Sequence, residues 1–195
     1  MSKISILKKL ALIAAGAMIL PAFAAAEIKM GIILGFTGPI ESLTPDMGSS
    51  AELAFKEASD SGQLLGGQKI SVVRADSTCI DAAAASAAAE RLITSDKVAG
   101  IMGADCSGVT TAIANNVAVP NGVTMISPSA TSPALSTIAD NGYFFRTAPS
   151  DARQGQVLAE ISMERGISQV AVTFTNNDYG KGLSEAFINA YKGLG

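Results

Sequence analysis

Short apolar, β-rich runs alternate with helix-spaced segments along this chain, and that alternation limits the fold more than any other feature. The runs are Ile28 to Leu34, Lys69 to Ala75, Val98 to Gly103, Val123 to Ile126, Tyr143 to Arg146 and Val170 to Phe174. Between them, Met47 to Ser59, Asp81 to Ile93, Ser107 to Val117, Asp151 to about Arg165 and Lys181 to Tyr191 read as helices. Such alternation predicts an α/β fold, a parallel sheet with helices on both faces. Ile28 to Leu34 is apolar throughout, as a strand buried on both faces must be. In open sheets of this kind ligands bind beyond the carboxyl ends of the strands.

Those ends carry the chemistry. The third run breaks into Asp105-Cys106-Ser107-Gly108 and restarts as a helix. Such a turn presents the helix's first unpaired N–H groups and the positive end of its dipole, which favour a small anion. Ser107 can cap that helix or offer its hydroxyl to a ligand. The fourth run ends in a polar knot, Ser127-Pro128-Ser129-Ala130-Thr131-Ser132-Pro133. The two turns end consecutive strands, so together they can clamp one carboxylate; taken singly, each is an ordinary strand-to-helix turn. Tyr179 follows the sixth run and is placed either to cover a ligand or to pack. Asp151 is read as the cap of its helix.

The residue inventory excludes several classes of activity. Histidine is absent, which removes the commonest general base and every His-dependent triad within this chain. No GxxxxGK[ST] loop occurs, no GxGxxG follows the first run, and no His/Cys cluster has metal-ligand spacing. No base is marked near the serines. No cofactor is implied.

Residues Met1 to Ala26 read as a secretory signal peptide. Lys3, Lys8 and Lys9 precede a short apolar run, Leu10 to Leu20, and small residues follow at Ala22 to Ala26. The alternative is an N-terminal membrane anchor, for which the run is short. Removal of this leader leaves 11 basic against 17 acidic residues, a net charge of −6. An acidic, aromatic-poor surface argues against a nucleic-acid partner. Cys79 and Cys106 both lie in the exported part. An even count in an oxidising compartment suggests a disulfide, with two isolated thiols as the alternative.

A set of motifs then enters in order. Phe36-Thr37-Gly38-Pro39, Gly66-Gly67-Gln68-Lys69-Ile70, Arg74-Ala75-Asp76, Asp105-Cys106-Ser107, Ile126-Ser127-Pro128-Ser129-Ala130-Thr131, Phe145-Arg146-Thr147, Pro149-Ser150-Asp151 and Asp178-Tyr179-Gly180-Lys181-Gly182-Leu183 span the chain beyond the leader. As an ordered set they resemble the solute-binding proteins of branched-chain amino acid ABC importers. The resemblance implies a two-lobed fold of the type I periplasmic binding protein kind, closing on its ligand about a hinge. It divides the chain into a leader (1–26), an N-terminal α/β lobe (27–148) and the beginning of a second lobe (149–195). It implies Ser107 and Thr131 on a ligand carboxylate, the Ser129 main chain on the ammonium group, and Tyr179 closing from the second lobe. Ala130 and Asp151 belong to the same expected ligand set, and Cys79 and Cys106 match a family disulfide.

Two departures stand out. A loop aromatic of close relatives falls at Leu43, so the side-chain pocket is expected to differ. The chain ends at Gly195, before the family's acidic ammonium partner, so it reads as the N-terminal part of a longer protein. The expected function is capture of a branched-chain or related amino acid in the periplasm and delivery to an ABC permease in the membrane, without catalysis. A receptor's ligand-sensing module of the same fold is the first alternative. An exported α/β hydrolase is the second.

Overall fold

The computed structural model describes residues 27–195, so the expected leader, 1–26, lies outside the described residues. Five strands form one parallel sheet: β1 (Ile28–Leu34), β2 (Ile70–Asp76), β3 (Gly100–Gly103), β4 (Thr124–Ser127) and β5 (Phe144–Arg146), in the spatial order β2-β1-β3-β4-β5. The helices are α1 (Thr44–Asp60), α2 (Ala82–Thr94), α3 (Ser107–Ile113), α4 (Asp151–Glu164) and α5 (Asp178–Leu194). The π-helical stretch Ala114–Ala118 continues α3. The α/β architecture with helices on both faces of the sheet is as the alternation predicts.

The residue types explain the packing. β1 lies between β2 and β3, and Ile32, Ile33 and Leu34 are completely buried. Ile33 faces a core shared with Ala85, Ala89 and Leu92 of α2 and Val109 and Ile113 of α3. Ile32 and Leu34 face the other way, onto Ala51 of α1 with Phe36, Met47 and Phe55 around it. The alanines of α2 bring that helix close to the sheet, so close that a Cβ at Gly31 would stand 3.0 Å from the Leu92 side chain. Asp81 caps α2 as expected, its carboxylate accepting from the Ala83 and Ala84 amides at 2.9 Å. On the α1 side the cover is partial. Met102, Ile126 and Phe145 lie in register across β3, β4 and β5, and Ile126 and Phe145 are 41% and 51% exposed.

β1 is where the strand order reverses, with β2 on one side and β3 on the other. The crevice beside it, beyond the strand ends, is the usual ligand position in such sheets. Gly103 opens that crevice. Its φ is +130°, and a Cβ there would fall 1.9 Å from the Ile33 carbonyl oxygen, so only glycine lets β3 leave β1 at this point.

Four expectations need correction. Val170 to Phe174 forms no strand and pairs with none among the described residues, and Val170 and Phe174 stay exposed. A strand is completed by its neighbour's ladder, and the apolar pattern alone does not supply one. Between β4 and β5 the alternation is broken by a single 3₁₀ turn, Pro133–Ser136, in place of a helix. Asp151 does not cap α4: the Ser150 hydroxyl does, accepting from the Ala152 amide at 3.2 Å, and Asp151 turns inward. Ser107 does not cap α3 either. Cys106 holds that position, and Ser107 is the first helical residue.

Leu92 is fully buried between α2 and β1, so Leu92→Ala is expected to lower the unfolding free energy by about 2–5 kcal/mol. Ile126→Thr, on the open face, is expected to change it by less than about 1 kcal/mol. Urea denaturation of the two variants checks both.

Candidate functional site

The ends of β3 and β4 are sewn together by their own hydroxyls. Ser127 Oγ donates to the Ala104 carbonyl at 2.5 Å and accepts from the Ala130 amide at 3.0 Å. Ser129 Oγ donates to the Asp105 carbonyl at 3.0 Å. Ser107 Oγ accepts from the Ser132 amide at 3.1 Å. The polar knot after β4 and the turn after β3 are therefore one rigid unit, and Ser107 and Ser127 are buried within it. Because Ser107 Oγ accepts here, its proton is left for another group. Beside it, the amides of the first turn of α3 have no helical partner.

This unit is one wall of a cleft of about 830 Å³. Ser107, Ser129, Thr131 and Asp151 line that wall, and Asn176, Asn177 and Tyr179 line the cleft from the start of α5. Pro39, Ile40, Leu43, Met47 and Ile80 form an apolar rim, with Leu43 and Ile80 widely exposed. Tyr179, in the first turn of α5, is 45% exposed. Its turn is fixed by Asn177, whose side-chain oxygen accepts from the Gly180 amide at 2.9 Å. Gly180 has no room for a side chain, since a Cβ would lie 2.3 Å from the Thr175 carbonyl oxygen. A second hollow, of about 760 Å³, lies between α4, α5 and residues 171–175; apolar side chains such as Leu158, Val172, Leu183 and Phe187 share its lining with the hydroxyls of Ser162, Thr173, Thr175 and Ser184.

The cleft therefore brings together Ser107, Ser129, Thr131, Asp151 and Tyr179, with Cys79 and Cys106 at its floor. Ala130 is the exception among the expected residues. It is completely buried behind the wall, its amide bound to Ser127 and its carbonyl to Arg146 at 3.2 Å. Thr131 is present but engaged: its hydroxyl donates to Asp151 Oδ2 at 2.7 Å, and the Asp151 amide donates to the Thr131 carbonyl at 2.9 Å. The other Asp151 oxygen accepts no hydrogen bond from a described residue. Sequence reasoning took Asp105 only as part of a motif. Its carboxylate is 3% exposed and accepts from the Gly35 amide at 2.9 Å, the Cys106 amide at 3.0 Å and Ser77 Oγ at 3.3 Å. An acid at the tip of an apolar strand was the available signal.

The electrostatics follow from this lining. Asp105, Asp151 and Asp178 line the cleft, and no lysine or arginine does. Arg146 lies behind the wall, donating to the carbonyls of Ala130 and Ser132 and to Ser136 Oγ. Burial lowers its pKa while the charge of Asp151 acts the other way. A carboxylate bound in this cleft has to be held by neutral N–H and O–H donors. A cationic group is favoured beside Asp151. At the end of β2, Asp76 anchors Thr37. Burial alone would raise the Asp76 pKa, but hydrogen bonds from the Thr37 hydroxyl at 2.6 Å and from the Thr78 and Thr37 amides outweigh it and hold the carboxyl below its ordinary value. Among the described residues no group of three His, Cys, Asp or Glu side chains is arranged to hold a metal ion.

Cys79 and Cys106 are joined, which decides the alternative left open by their number. Thiol titration of the denatured, unreduced protein is expected to find none free. Reduction is expected to cost about 3–4 kcal/mol of stability for a separation of 27 residues. Asp76 sets a second expectation. A carboxyl with a lowered folded pKa stabilises above its unfolded pKa, and that contribution fades as pH falls through the folded value. Asp76→Asn should therefore lower stability at neutral pH and flatten its fall with acid, which thermal unfolding across the acidic range measures.

The sequence profile described as periplasmic binding protein matches residues 27–195. Among similar proteins, "Leu/Ile/Val-binding protein homolog 3" of Brucella melitensis is 33% identical over 163 residues, 83% of this chain and 43% of that protein. The Leu/Ile/Val-binding protein of Escherichia coli K12 is 29% identical over 171 residues, 86% of this chain and 45% of that protein. A leucine binding protein from Thermotoga maritima superposes with a TM-score of 0.71 at 28% identity, covering 86% of this chain and 46% of its own. The chain spans less than half the length of these relatives. The sheet order, the cleft at the strand ends and the match over residues 27–195 agree: the chain belongs to the periplasmic binding protein family.

Proposed function

We propose that this protein captures an amino acid, branched-chain or related, outside the cytoplasmic membrane and passes it to the permease of an ABC importer. The cross-stitched wall of the cleft carries this reading. It offers a carboxylate only neutral donors, Ser107 Oγ–H and the first amides of α3, and offers a cation the unengaged oxygen of Asp151. A zwitterion satisfies both. The aliphatic rim of Ile40, Leu43, Met47 and Ile80 suits an apolar side chain. The Leu/Ile/Val-binding names of the relatives, and a neighbour from Streptococcus pneumoniae in complex with isoleucine at 28% identity, support the same ligand class.

In this reading Ser107 binds the α-carboxylate and Tyr179 closes over the ligand from the start of α5. Ser129 and Thr131 act mainly by holding the wall and orienting Asp151. Residues 27–148 form one lobe and 149–195 begin a second, with the hinge after Pro149. The leader-type segment and the disulfide both suit an exported, periplasmic protein. No reaction is assigned: the cleft serines bond to backbone groups rather than to a base.

Binding of L-leucine, L-isoleucine and L-valine by calorimetry tests the proposal directly. Ser107→Ala is expected to weaken the best ligand by roughly ten- to a hundredfold, the loss of one hydrogen bond to a charged group. Replacing leucine by leucinamide should cost at least as much. The two losses should not add, because both remove one interaction. Undiminished binding of the amide by the unsubstituted protein would overturn the reading.

A further inference from the structure

The anion position at the β1/β3 switch point is already filled, by a side chain of the protein itself. Gly35 N–H, Cys106 N–H and Ser77 Oγ–H converge on the Asp105 carboxylate at 2.9, 3.0 and 3.3 Å. These donors come from the ends of β1, β3 and β2. Asp105 and Ser77 are 3% and 0% exposed. Among the described residues no lysine or arginine pairs with the carboxylate; three polar hydrogens hold it, as they would hold a bound anion. Its backbone carbonyl at the same time takes the Ser129 hydroxyl.

We propose that Asp105 is an internal anion and the positioning residue of the binding cleft. Its carboxylate seals the switch point, where doubly wound proteins commonly take a ligand, and moves the usable donors one strand over, to the β3–β4 side. It also fixes the Cys106 amide, the residue immediately before Ser107, so it sets where the ligand-facing hydroxyl stands. Cys106 is bonded to Cys79, next to Ile80 at the rim, so the same three bonds hold the apolar and polar parts of the cleft in one frame. Without the carboxylate, three donors, two of them in buried hydrogen bonds, lose their partner and the frame loosens. A small monoanion of carboxylate chemistry should then be able to take its place.

The ligand arm of the test rests on the amino-acid reading above; the anion arm does not. Asp105→Ala keeps the Cβ and removes only the carboxyl group, which formate matches in shape and charge. The thermal midpoint of D105A is expected to rise saturably with formate, beyond the rise given by matched chloride, while the unsubstituted protein responds equally to both salts. With L-leucine as the probe, well below the unfolding temperature, Kd of D105A is expected to rise about tenfold or more and to recover in saturating formate. A purely structural role would lower the midpoint and leave the Kd of the folded protein unchanged. Asp105→Asn fills the space without the charge and faces an N–H donor with its own amide. It should bind leucine weakly and gain nothing from formate. If D105A does not fold even in formate, D105N decides, and an unchanged leucine Kd overturns the proposal. A folded D105A that ignores formate, or that binds leucine as the unsubstituted protein does, also overturns it. If the unsubstituted protein binds no amino acid, the function proposed above fails, and the formate response of D105A alone decides the internal anion.

Discussion

Everything at the cleft depends on how the last carbonyls and amides of the β3 segment are satisfied. A parallel strand that stops in mid-sheet leaves backbone groups that must find partners, since burying them unpaired costs about 1–3 kcal/mol each. Here the Ala104 carbonyl takes two hydroxyls, from Ser127 and from Thr110 at 3.0 Å, and the Asp105 carbonyl takes Ser129. The same hydroxyls that complete β3 thereby dock the loop after β4 against it. Hydrogen bonding that is structural in origin produces a wall with a defined pattern of donors. What is left over, the Ser107 proton and the unpartnered amides of α3, is what the proposed reading assigns to the ligand.

Thr131 and Asp151 show the same economy across a longer span. They are 20 residues apart, yet a side-chain bond and a backbone bond join them in both directions. The start of α4 is therefore tied to the knot after β4, and a carboxylate is placed at the edge of the cleft with one oxygen engaged. Under the proposed amino-acid reading, that carboxylate is the partner for the ammonium group of a zwitterion. Asp105 is equally buried but is held by three donors, so the two buried carboxylates of this cleft are partnered differently.

Much of this was legible from residues alone. Ile28–Leu34 declared itself by being apolar throughout, and Asp81 marked the start of α2 by its position before an alanine run. Ser107, Ser129, Thr131 and Tyr179 stood out as polar residues that follow apolar runs, whereas Asp151 was read from the residues only as a cap and joined the expected ligand set through the family resemblance. What the sequence hid was direction. Ser150 and Asp151 both suit a cap, and only the packing of Thr131 shows which one turns inward. Ala130 sits among three polar neighbours, yet the peptide there points into Ser127 and Arg146. Val170 to Phe174 has the composition of a strand, but pairing is a property of the neighbour and cannot be read from the run itself.

The strand order also bears on how the chain reaches this state. β2 pairs with β1, β3 adds to the free edge of β1, β4 to β3 and β5 to β4. No strand has to wait for one that lies later in the chain. A polypeptide made or threaded from its N-terminus can therefore build this sheet by successive accretion, with each new edge exposed only until the next strand arrives. Pairings between near neighbours in sequence keep loop closure short and the route fast. In a vectorial process, where unpaired edges invite misassembly, that ordering is itself a form of protection.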